Sequence, residues 1–337
     1  MSQTRTPEEP PVTVLHGYVP VIDLSARDTR TGRASIARAI GQACANSGFF
    51  TIVGHGVDQD LVERMYTVTQ EFFALPPERK SAVESGPGTC GVLSSGGSAA
   101  KSAGTDSPPD LCETFSSNVL GDLGPEQRAV FGDDTAPWTR ANQWPGAPEG
   151  FKETWLAYTR AMEVLSERLM RLFALALGLG DEAFFDDKID RNISTIVANY
   201  YYPQLTPPLP GQLRKGAHSD WGTLTILYQD RAGGLQVRQE GHGWRDVPFV
   251  PGGFVVNIGD MMAFWTGGRW VSTVHRVLNP PEGHTRSRLS IPFFHLPNHD
   301  ARIEPVVGNG GGEPASSSAS AVTPGDWYRA KMTALYS

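Results

Sequence analysis

Residues 216–239 read GAHSDWGTLTILYQDRAGGLQVRQ, and this stretch decides the fold class. It contains three short runs with strand character, at 216–219, 223–228 and 235–239. The turn signal Ala232-Gly233-Gly234 separates the last two runs. Short strands that are divided by glycine-rich turns in this way are typical of antiparallel sheets.

The same pattern continues on both sides of this stretch. Further runs of strand character lie at 193–202, 253–258, 275–278 and 288–296, and Pro251-Gly252-Gly253 is another turn signal. So many short strands with this punctuation favour an antiparallel sandwich or a jelly roll. We therefore expect a protein that is mainly β with flanking helices.

The rest of the chain predicts helices and a few further strands. Apolar spacing and Gly or Pro stop signals predict strands at 19–24 and 49–53 and helices at 34–47, 58–75, 148–179 and 324–335. We expect the following segments along the chain: a flexible N-terminal tail at 1–17, an α/β segment at 18–120 with a variable loop at 85–110, a helical support region at 121–190, the β core at 191–300, and a low-complexity loop with a C-terminal helix at 301–337.

The composition excludes several classes of protein. The 337 residues include 29 Lys and Arg against 36 Asp and Glu, a formal net charge of −7, so we expect no nucleic-acid partner. No apolar run reaches the roughly 20 residues of a membrane span, so we expect no membrane partner. Cys44, Cys90 and Cys112 lack the spacing of a disulfide framework or a zinc site, which favours reduced thiols in a cytoplasmic protein. The oligomeric state stays open.

Residues 216–225 carry the clearest chemical signal. Side chains at i and i+2 of a strand share a face, so His218 and Asp220 point to the same side. A third ligand, His275, begins the predicted strand 275–278, which can lie beside the first. Two histidines and one carboxylate leave three positions open on an octahedral ion, which is typical of non-haem Fe(II) oxygenases.

A second pair with the same spacing follows in the predicted strand 288–296. Arg288 and Ser290 share a face, and the residues around them are apolar. A guanidinium is expensive to bury without an anionic partner, and its planar fork matches a carboxylate. The pair therefore predicts a binding site for a carboxylate ligand. The alternative is a salt bridge from Arg288 to a nearby Asp or Glu.

These motifs, in this order, resemble the isopenicillin N synthase-like branch of the Fe(II)/2-oxoglutarate-dependent oxygenases. The resemblance covers nearly the whole chain and rests on the following motifs: VPVIDL at 19–24, GFF at 48–50, HGV at 55–57, DLCETF at 110–115, YYP at 201–203, HSDWG at 218–222, GGLQV at 233–237, NIGD at 257–260, STVHRV at 272–277 and RLSIPFF at 288–294. It implies a double-stranded β-helix (jelly-roll, cupin-like) catalytic core at 191–300. It also implies Fe(II), 2-oxoglutarate as cosubstrate, and O2.

The resemblance also implies individual roles. By similarity, the iron ligands would be His218, Asp220 and His275, and the residues that bind 2-oxoglutarate would be Arg288, Ser290 and Tyr202. One departure precedes Pro203. Relatives often read Asn-Tyr-Tyr-Pro, whereas residues 199–203 read NYYYP, so a role for Asn199 is not carried over.

The sequence says less about the residues that contact the primary substrate. Phe294 shares its predicted face with Arg288 and Ser290 and is the first candidate for the substrate pocket, followed by Trp221 and Phe264. Segments 85–110 and 324–335 are candidates for a cover that excludes water, and a passive surface loop is the alternative for 85–110. Three basic residues are interpreted as solvated or structural charges: Arg214, Lys215 and Arg276.

The expected function is hydroxylation or desaturation of a small molecule, a specialised metabolite or an amino-acid derivative, coupled to formation of succinate and CO2. One alternative is an oxidase like isopenicillin N synthase, which uses no 2-oxoglutarate and would hold a substrate carboxylate with Arg288 and Ser290. A Zn-dependent hydrolase is a second alternative, because the same three ligands can hold Zn(II). A non-catalytic ligand-binding barrel is a third.

Overall fold

A computed structural model of the chain describes residues 18–83, 90–93, 108–129, 131, 136–281, 283, 286–306 and 320–336. The expected tail at 1–17 and most of the expected loop at 85–110 lie outside the described residues. The same holds for residues 307–319 in the C-terminal low-complexity segment.

The elements follow the expected order, with an α/β beginning, a long helix, a run of short strands and a final helix. The strands are β1 (Val21–Asp23), β2 (Phe49–Val53), β3 (Gly91–Leu93), β4 (Glu113–Asn118), β5 (Thr195–Tyr201), β6 (Lys215–His218), β7 (Leu224–Gln229), β8 (Leu235–Gln239), β9 (Gly243–Asp246), β10 (Phe254–Ile258), β11 (His275–Val277) and β12 (Arg288–His295). The helices are α1 (Arg30–Asn46), α2 (Gln59–Phe73), α3 (Pro77–Lys80), α4 (Pro125–Ala129), α5 (Ala136–Thr139), α6 (Phe151–Leu177), α7 (Asp186–Ile189), α8 (Asp260–Trp265) and α9 (Pro324–Tyr336).

The strands form two sheets. The larger sheet has the order β1-β2-β10-β7-β12-β5-β4-β3, and the smaller has the order β6-β11-β8-β9. Only β1 and β2 pair in parallel among the described strands, and all the other pairs are antiparallel. From β5 to β12 the chain passes repeatedly between the two sheets, since β5, β7, β10 and β12 belong to the larger sheet and β6, β8, β9 and β11 to the smaller. The chain therefore winds back and forth between the sheets, as a jelly roll requires.

Helix α6 is the main support of the larger sheet. Its buried side chains recur at helical spacing, and α1 and α2 pack against it. It ends where Gly178 adopts a left-handed backbone conformation with φ 69°, and the amide of Gly178 donates to the carbonyl of Ala174. None of the helices in the described part of the chain is both long enough and apolar enough to span a membrane.

The structure corrects one expectation about segment 85–110. Its composition predicts that it buries no core, yet residues 91–93 form β3, which pairs with β4, and Val92 and Cys90 are buried. Strand β9 is also absent from the predicted strands. Its side chains are mostly exposed and polar, so it lacks the apolar signal of the other strands, and it is held as an edge strand by pairing with β8.

Candidate functional site

A cavity of about 240 Å³ lies between the two sheets. It is lined from both sides, by β5, β7 and β12 of the larger sheet and by β6, β8 and β11 of the smaller. The polar residues that line it are Thr114, Asn199, Tyr201, Lys215, His218, Asp220, Thr225, Asn257, His275, Arg288 and Ser290. The candidate metal ligands and the Arg288–Ser290 pair therefore share one cavity.

His218, Asp220 and His275 come together at one end of this cavity. His218 ends β6, His275 begins β11, and the two are register partners across these strands. The Oδ1 atom of Asp220 lies 3.9 Å from Nε2 of His218 and 3.7 Å from Nε2 of His275. One ligand atom from each residue lies within 4.8 Å of the others, which is a spacing that a single ion can bridge.

Both histidines are oriented by their own backbone. Nδ1 of His218 lies 2.8 Å from the carbonyl of Gly216, and Nδ1 of His275 lies 3.2 Å from the carbonyl of Thr273. Because a carbonyl oxygen can only accept, each Nδ1 must carry the proton and donate. The lone pair of each neutral ring is then on Nε2, which faces Asp220.

Asp220 is oriented by two buried polar side chains. Its Oδ2 accepts hydrogen bonds from Oγ1 of Thr225 at 2.5 Å and from Nδ2 of Asn257 at 2.7 Å, which leaves Oδ1 for the ion. Burial raises the pKa of Asp220, but the neighbouring histidines and these two hydrogen bonds outweigh burial and lower the pKa below its ordinary value. The carboxylate is therefore ionised at neutral pH.

The protonation of His218 also suits a metal ligand. Burial, and then the nearby His275, lower the pKa of His218 to about 4. The ring is therefore neutral at pH 7, as a metal ligand must be. Two imidazoles and one carboxylate form a set of donors that fits Fe(II) and leaves coordination positions for other ligands.

Arg288 lies at the other end of the cavity and is 1% exposed. Its Nε donates to the carbonyl of Gly233 at 2.9 Å, and its Nη1 donates to Oγ of Ser290 at 2.9 Å. No carboxylate among the described residues is within ion-pair distance of it, contrary to the salt-bridge alternative. The remaining N–H groups of the guanidinium are thus available to a carboxylate ligand.

The structure corrects the prediction for Tyr202. Tyr201, which pairs with Arg288 in register, lines the cavity with its ring centroid 5.0 Å from the guanidinium carbon. Tyr202 points the opposite way, because adjacent residues along an extended strand face opposite sides. Its hydroxyl contacts the buried pair Lys80 and Glu113 instead. The extra tyrosine before Pro203 therefore moves the position beside Arg288 to Tyr201.

Of the three aromatic candidates for the substrate pocket, one lines the cavity and two lie elsewhere. Phe294 lines the cavity. Trp221 and Phe264 do not, because they pack against the C-terminal helix α9. The ring centroid of Trp221 lies 5.7 Å from that of Tyr328, and the centroid of Phe264 lies 5.8 Å from that of Trp327. Their assignment to the pocket is therefore corrected.

Several residues of the site were not predicted. Asn199, to which the resemblance carries no role, pairs with Ser290 in register and lines the cavity. Lys215 also lines the cavity, and its ion pair with the buried Asp110 agrees with its interpretation as a structural charge. Thr225 and Asn257 hold Asp220. The period-2 pattern of β7 could have found Thr225, which lies near the HxD motif. Asn257 begins the motif NIGD and Asn199 precedes the three tyrosines, but neither motif by itself indicates a contact in the site.

Comparisons with known proteins agree with this geometry. A sequence profile of the 2OG-Fe(II) oxygenase superfamily matches residues 192–297, and a profile described as non-haem dioxygenase in morphine synthesis N-terminal matches residues 19–147. A relative named validamycin A dioxygenase, from Streptomyces hygroscopicus subsp. limoneus, is 37% identical over 314 residues, covering 88% of this chain and 83% of the relative. A homoarginine-6-hydroxylase from Arabidopsis thaliana is 32% identical over 305 residues, covering 86% of this chain and 87% of the relative.

Solved structures show the same architecture. A full-length protein of Neurospora crassa, solved in complex with alpha-KG and thymine, superposes with a TM-score of 0.81 at 26% identity, covering 96% of this chain and 99% of that one. JOX2 in complex with 2OG, Fe and JA superposes with a TM-score of 0.71 at 28% identity, covering 93% of this chain and 84% of that one. The chain belongs to the 2OG-Fe(II) oxygenase superfamily and is an Fe(II)/2-oxoglutarate-dependent dioxygenase of the isopenicillin N synthase-like branch, with the double-stranded β-helix fold.

Proposed function

We propose that the chain hydroxylates or desaturates a small molecule, with 2-oxoglutarate converted to succinate and CO2. In this proposal His218, Asp220 and His275 hold Fe(II), and Arg288 with Ser290 binds the distal carboxylate of 2-oxoglutarate. The observation that carries it is the placement of both groups in one cavity of about 240 Å³. This size is near the lower end for ligand pockets and supports a small substrate.

The protein contributes orientation and exclusion of water. Backbone carbonyls hold the two imidazoles in one tautomer, and Thr225 with Asn257 holds the carboxylate of Asp220. Arg288 anchors the cosubstrate by its distal carboxylate, so that the keto-acid end faces the triad. Fe(II), when bound, supplies the redox chemistry that couples decarboxylation of the keto acid to oxidation of a substrate C–H bond. Asp220, His275 and Arg288 are buried, which limits the water beside them.

The substrate side combines apolar and small polar groups. Phe294, Leu93 and Val197 supply apolar contacts, and Thr114 with Asn199 supplies hydrogen-bonding groups. The names of the relatives include an amino-acid hydroxylase, for homoarginine, and a dioxygenase for validamycin A. Both support an amino-acid derivative or a specialised metabolite as the substrate class.

The alternatives have less support. The matching profile is that of 2OG-Fe(II) oxygenases and a relative from Petunia hybrida is named naringenin,2-oxoglutarate 3-dioxygenase, which disfavours an oxidase that works without this cosubstrate. A zinc hydrolase gives the free N–H groups of Arg288 no role. A non-catalytic barrel would not need the hydrogen bonds that hold Asp220 and the two histidines in place.

The test is a coupled assay on purified protein with Fe(II), 2-oxoglutarate and O2. Amino acids, their derivatives and validamycin A are screened for stimulation of succinate formation, and products are identified by mass spectrometry. We expect one succinate for each product molecule that has gained an oxygen atom or lost two hydrogen atoms. Product formation in the absence of 2-oxoglutarate, or no succinate with any Fe(II)-loaded sample, would contradict the proposal. The Asp220→Ala protein is the inactive control.

A further inference from the structure

Lys215 reaches the cavity through an irregularity in β6. Val277 pairs with Lys215 and His275 pairs with His218, so the same stretch contains one more residue on β6 than on β11. Strict alternation would turn Lys215 to the opposite face from His218. The extra residue forms a β-bulge and returns Lys215 to the same face.

The register places Lys215 toward the Arg288 end of the cavity. Lys215, Val277 and Leu235 are partners across β6, β11 and β8 and form one row of the smaller sheet. Gly233 lies two residues before Leu235 and accepts the hydrogen bond from Nε of Arg288 at 2.9 Å. The row of Lys215 therefore lies at the end of the cavity where the side chain of Arg288 extends from the larger sheet.

The distance between the row of His218 and the row of Lys215 matches the length of 2-oxoglutarate. The row of His218 and His275 lies two residues along β11 from the row of Lys215. At about 3.3 Å per residue this separation is about 6.6 Å. A five-carbon diacid has about this length. A keto acid that is held at the triad by one end therefore extends its distal carboxylate to the row of Lys215.

The ammonium group of Lys215 retains donors for a ligand. Its Nζ lies 2.9 Å from Oδ2 of Asp110, whose side chain is 2% exposed, and Oδ1 of Asp110 accepts from the amide of Gly216 at 2.9 Å. An ammonium has three N–H donors, and among the described residues Asp110 is the only hydrogen-bond or ion-pair partner of this one. Burial lowers the pKa of Lys215, but neighbouring acidic groups, Asp110 among them, outweigh burial and raise it above its ordinary value, so Lys215 is charged.

We propose that Lys215 is a second cation for the distal carboxylate of 2-oxoglutarate, opposite Arg288, and that Asp110 is the positioning residue that holds it. Tyr201 and Lys215 both line the cavity, and the ring centroid of Tyr201 lies 5.0 Å from the guanidinium carbon of Arg288. This inference rests on the proposed binding of 2-oxoglutarate by Arg288 and Ser290. The same ammonium could instead serve a carboxylate of the primary substrate, and the experiment separates these two sources.

The experiment is an anaerobic calorimetric titration of the Fe(II)-loaded protein with 2-oxoglutarate and, separately, with 2-oxobutyrate, which lacks the distal carboxylate. We expect Lys215→Met to weaken binding of 2-oxoglutarate by about 10- to 100-fold, the range for loss of a charged hydrogen bond. Binding of 2-oxobutyrate should not change. Equal weakening of both keto acids, or no weakening of either, would overturn the proposal. The second result would assign Lys215 to the primary substrate or to structure alone.

Control variants distinguish the loss of the contact from Lys215 from a loss of folding. Lys215→Met leaves the buried Asp110 without its cation, so the double variant Lys215→Met/Asp110→Asn removes both charges and should show the same selective loss if the single variant does not fold. Lys215→Arg keeps the charge and should restore most of the affinity. Lys188→Met is the matched control, because Lys188 is similarly shielded but pairs with Asp187 outside the cavity. If the wild-type protein does not bind 2-oxoglutarate at all, the proposed function fails rather than the role of Lys215.

Discussion

His218 and His275 are register partners across β6 and β11, and their ring centroids lie 4.3 Å apart. This pairing brings two residues that are far apart in the chain to the same end of the cavity. Their Nδ1 atoms donate to backbone carbonyls, so their Nε2 atoms converge on Oδ1 of Asp220. Backbone pairing therefore places the two histidines beside Asp220.

Removal of one ligand tests the metal centre. We expect Asp220→Ala to lower bound iron and turnover by roughly 100-fold or more, because the two histidines alone leave the ion without its anionic ligand. Iron content by mass spectrometry and succinate formation are the measurements. The circular dichroism spectrum should be unchanged. Iron binding and turnover at wild-type levels in Asp220→Ala would refute the assignment of the triad.

Arg288 should control the affinity for 2-oxoglutarate without affecting iron. In Arg288→Gln we expect the KM for 2-oxoglutarate to rise by about 10- to 100-fold, since a charged pair to the distal carboxylate is lost. Iron content should stay at the wild-type value. Arg171→Gln is a suitable control, because Arg171 pairs with Asp186 at the surface. A KM that is equal in Arg288→Gln and in the control would contradict the proposed role.

The adjacent tyrosines at the end of β5 should have separable roles. Tyr201→Leu removes the ring beside Arg288, and we expect the KM for 2-oxoglutarate to rise several-fold, in line with about 0.5–2 kcal/mol for a cation–π contact. Tyr202→Phe removes a hydroxyl from the buried Lys80–Glu113 pair and should instead lower the free energy of unfolding by about 1–3 kcal/mol. Steady-state kinetics and urea denaturation measure the two effects. The reverse pattern would support the role that the family resemblance gives to Tyr202.

His295 should make the protein sensitive to acid. Burial lowers the pKa of His295 to about 3, whereas an unfolded histidine titrates near about 6.5. Between these values the unfolded chain binds a proton that the folded chain does not. The free energy of unfolding should therefore fall as the pH falls, by up to about 1.4 kcal/mol per pH unit from this residue.

Urea denaturation of the wild type and of His295→Gln from pH 7 down to pH 4 measures this contribution. We expect the pH dependence of the variant to be shallower, because glutamine does not titrate. The stability of the variant at pH 7 gives the baseline, since the neutral ring accepts or donates a hydrogen bond with Thr223 there. Parallel pH dependences for the two proteins would show that His295 does not contribute.

Local spacing predicted the chemistry of the site because the period of a strand is a local property. The i, i+2 rule was enough to pair His218 with Asp220 and Arg288 with Ser290, and each pair does share one cavity. The same rule correctly grouped Phe294 with Arg288. Short strands and glycine turns likewise predicted the sandwich or jelly-roll core, since these signals depend on neighbouring residues alone.

Local spacing could not predict which side chains face the cavity where this depends on strand pairing or on distant elements. Tyr201 rather than Tyr202 lies beside Arg288, because the register between β5 and β12 decides which tyrosine faces the cavity. Trp221 and Phe264 face α9, a helix that is distant in sequence. Asn257, which holds Asp220 together with Thr225, lies beside Thr225 because β10 pairs with β7 in the larger sheet.

The amino-acid sequence by itself therefore determined the order of elements, the three candidate ligands and the candidate cation for a carboxylate. Each of these follows from residue type and from a repeat of two along a strand. Only the tertiary structure decided which further side chains face the cavity. Lys215 is the clearest case, because one extra residue in β6 reverses its face, and a bulge of this kind is defined by pairing with β11 and not by the residues of β6 alone.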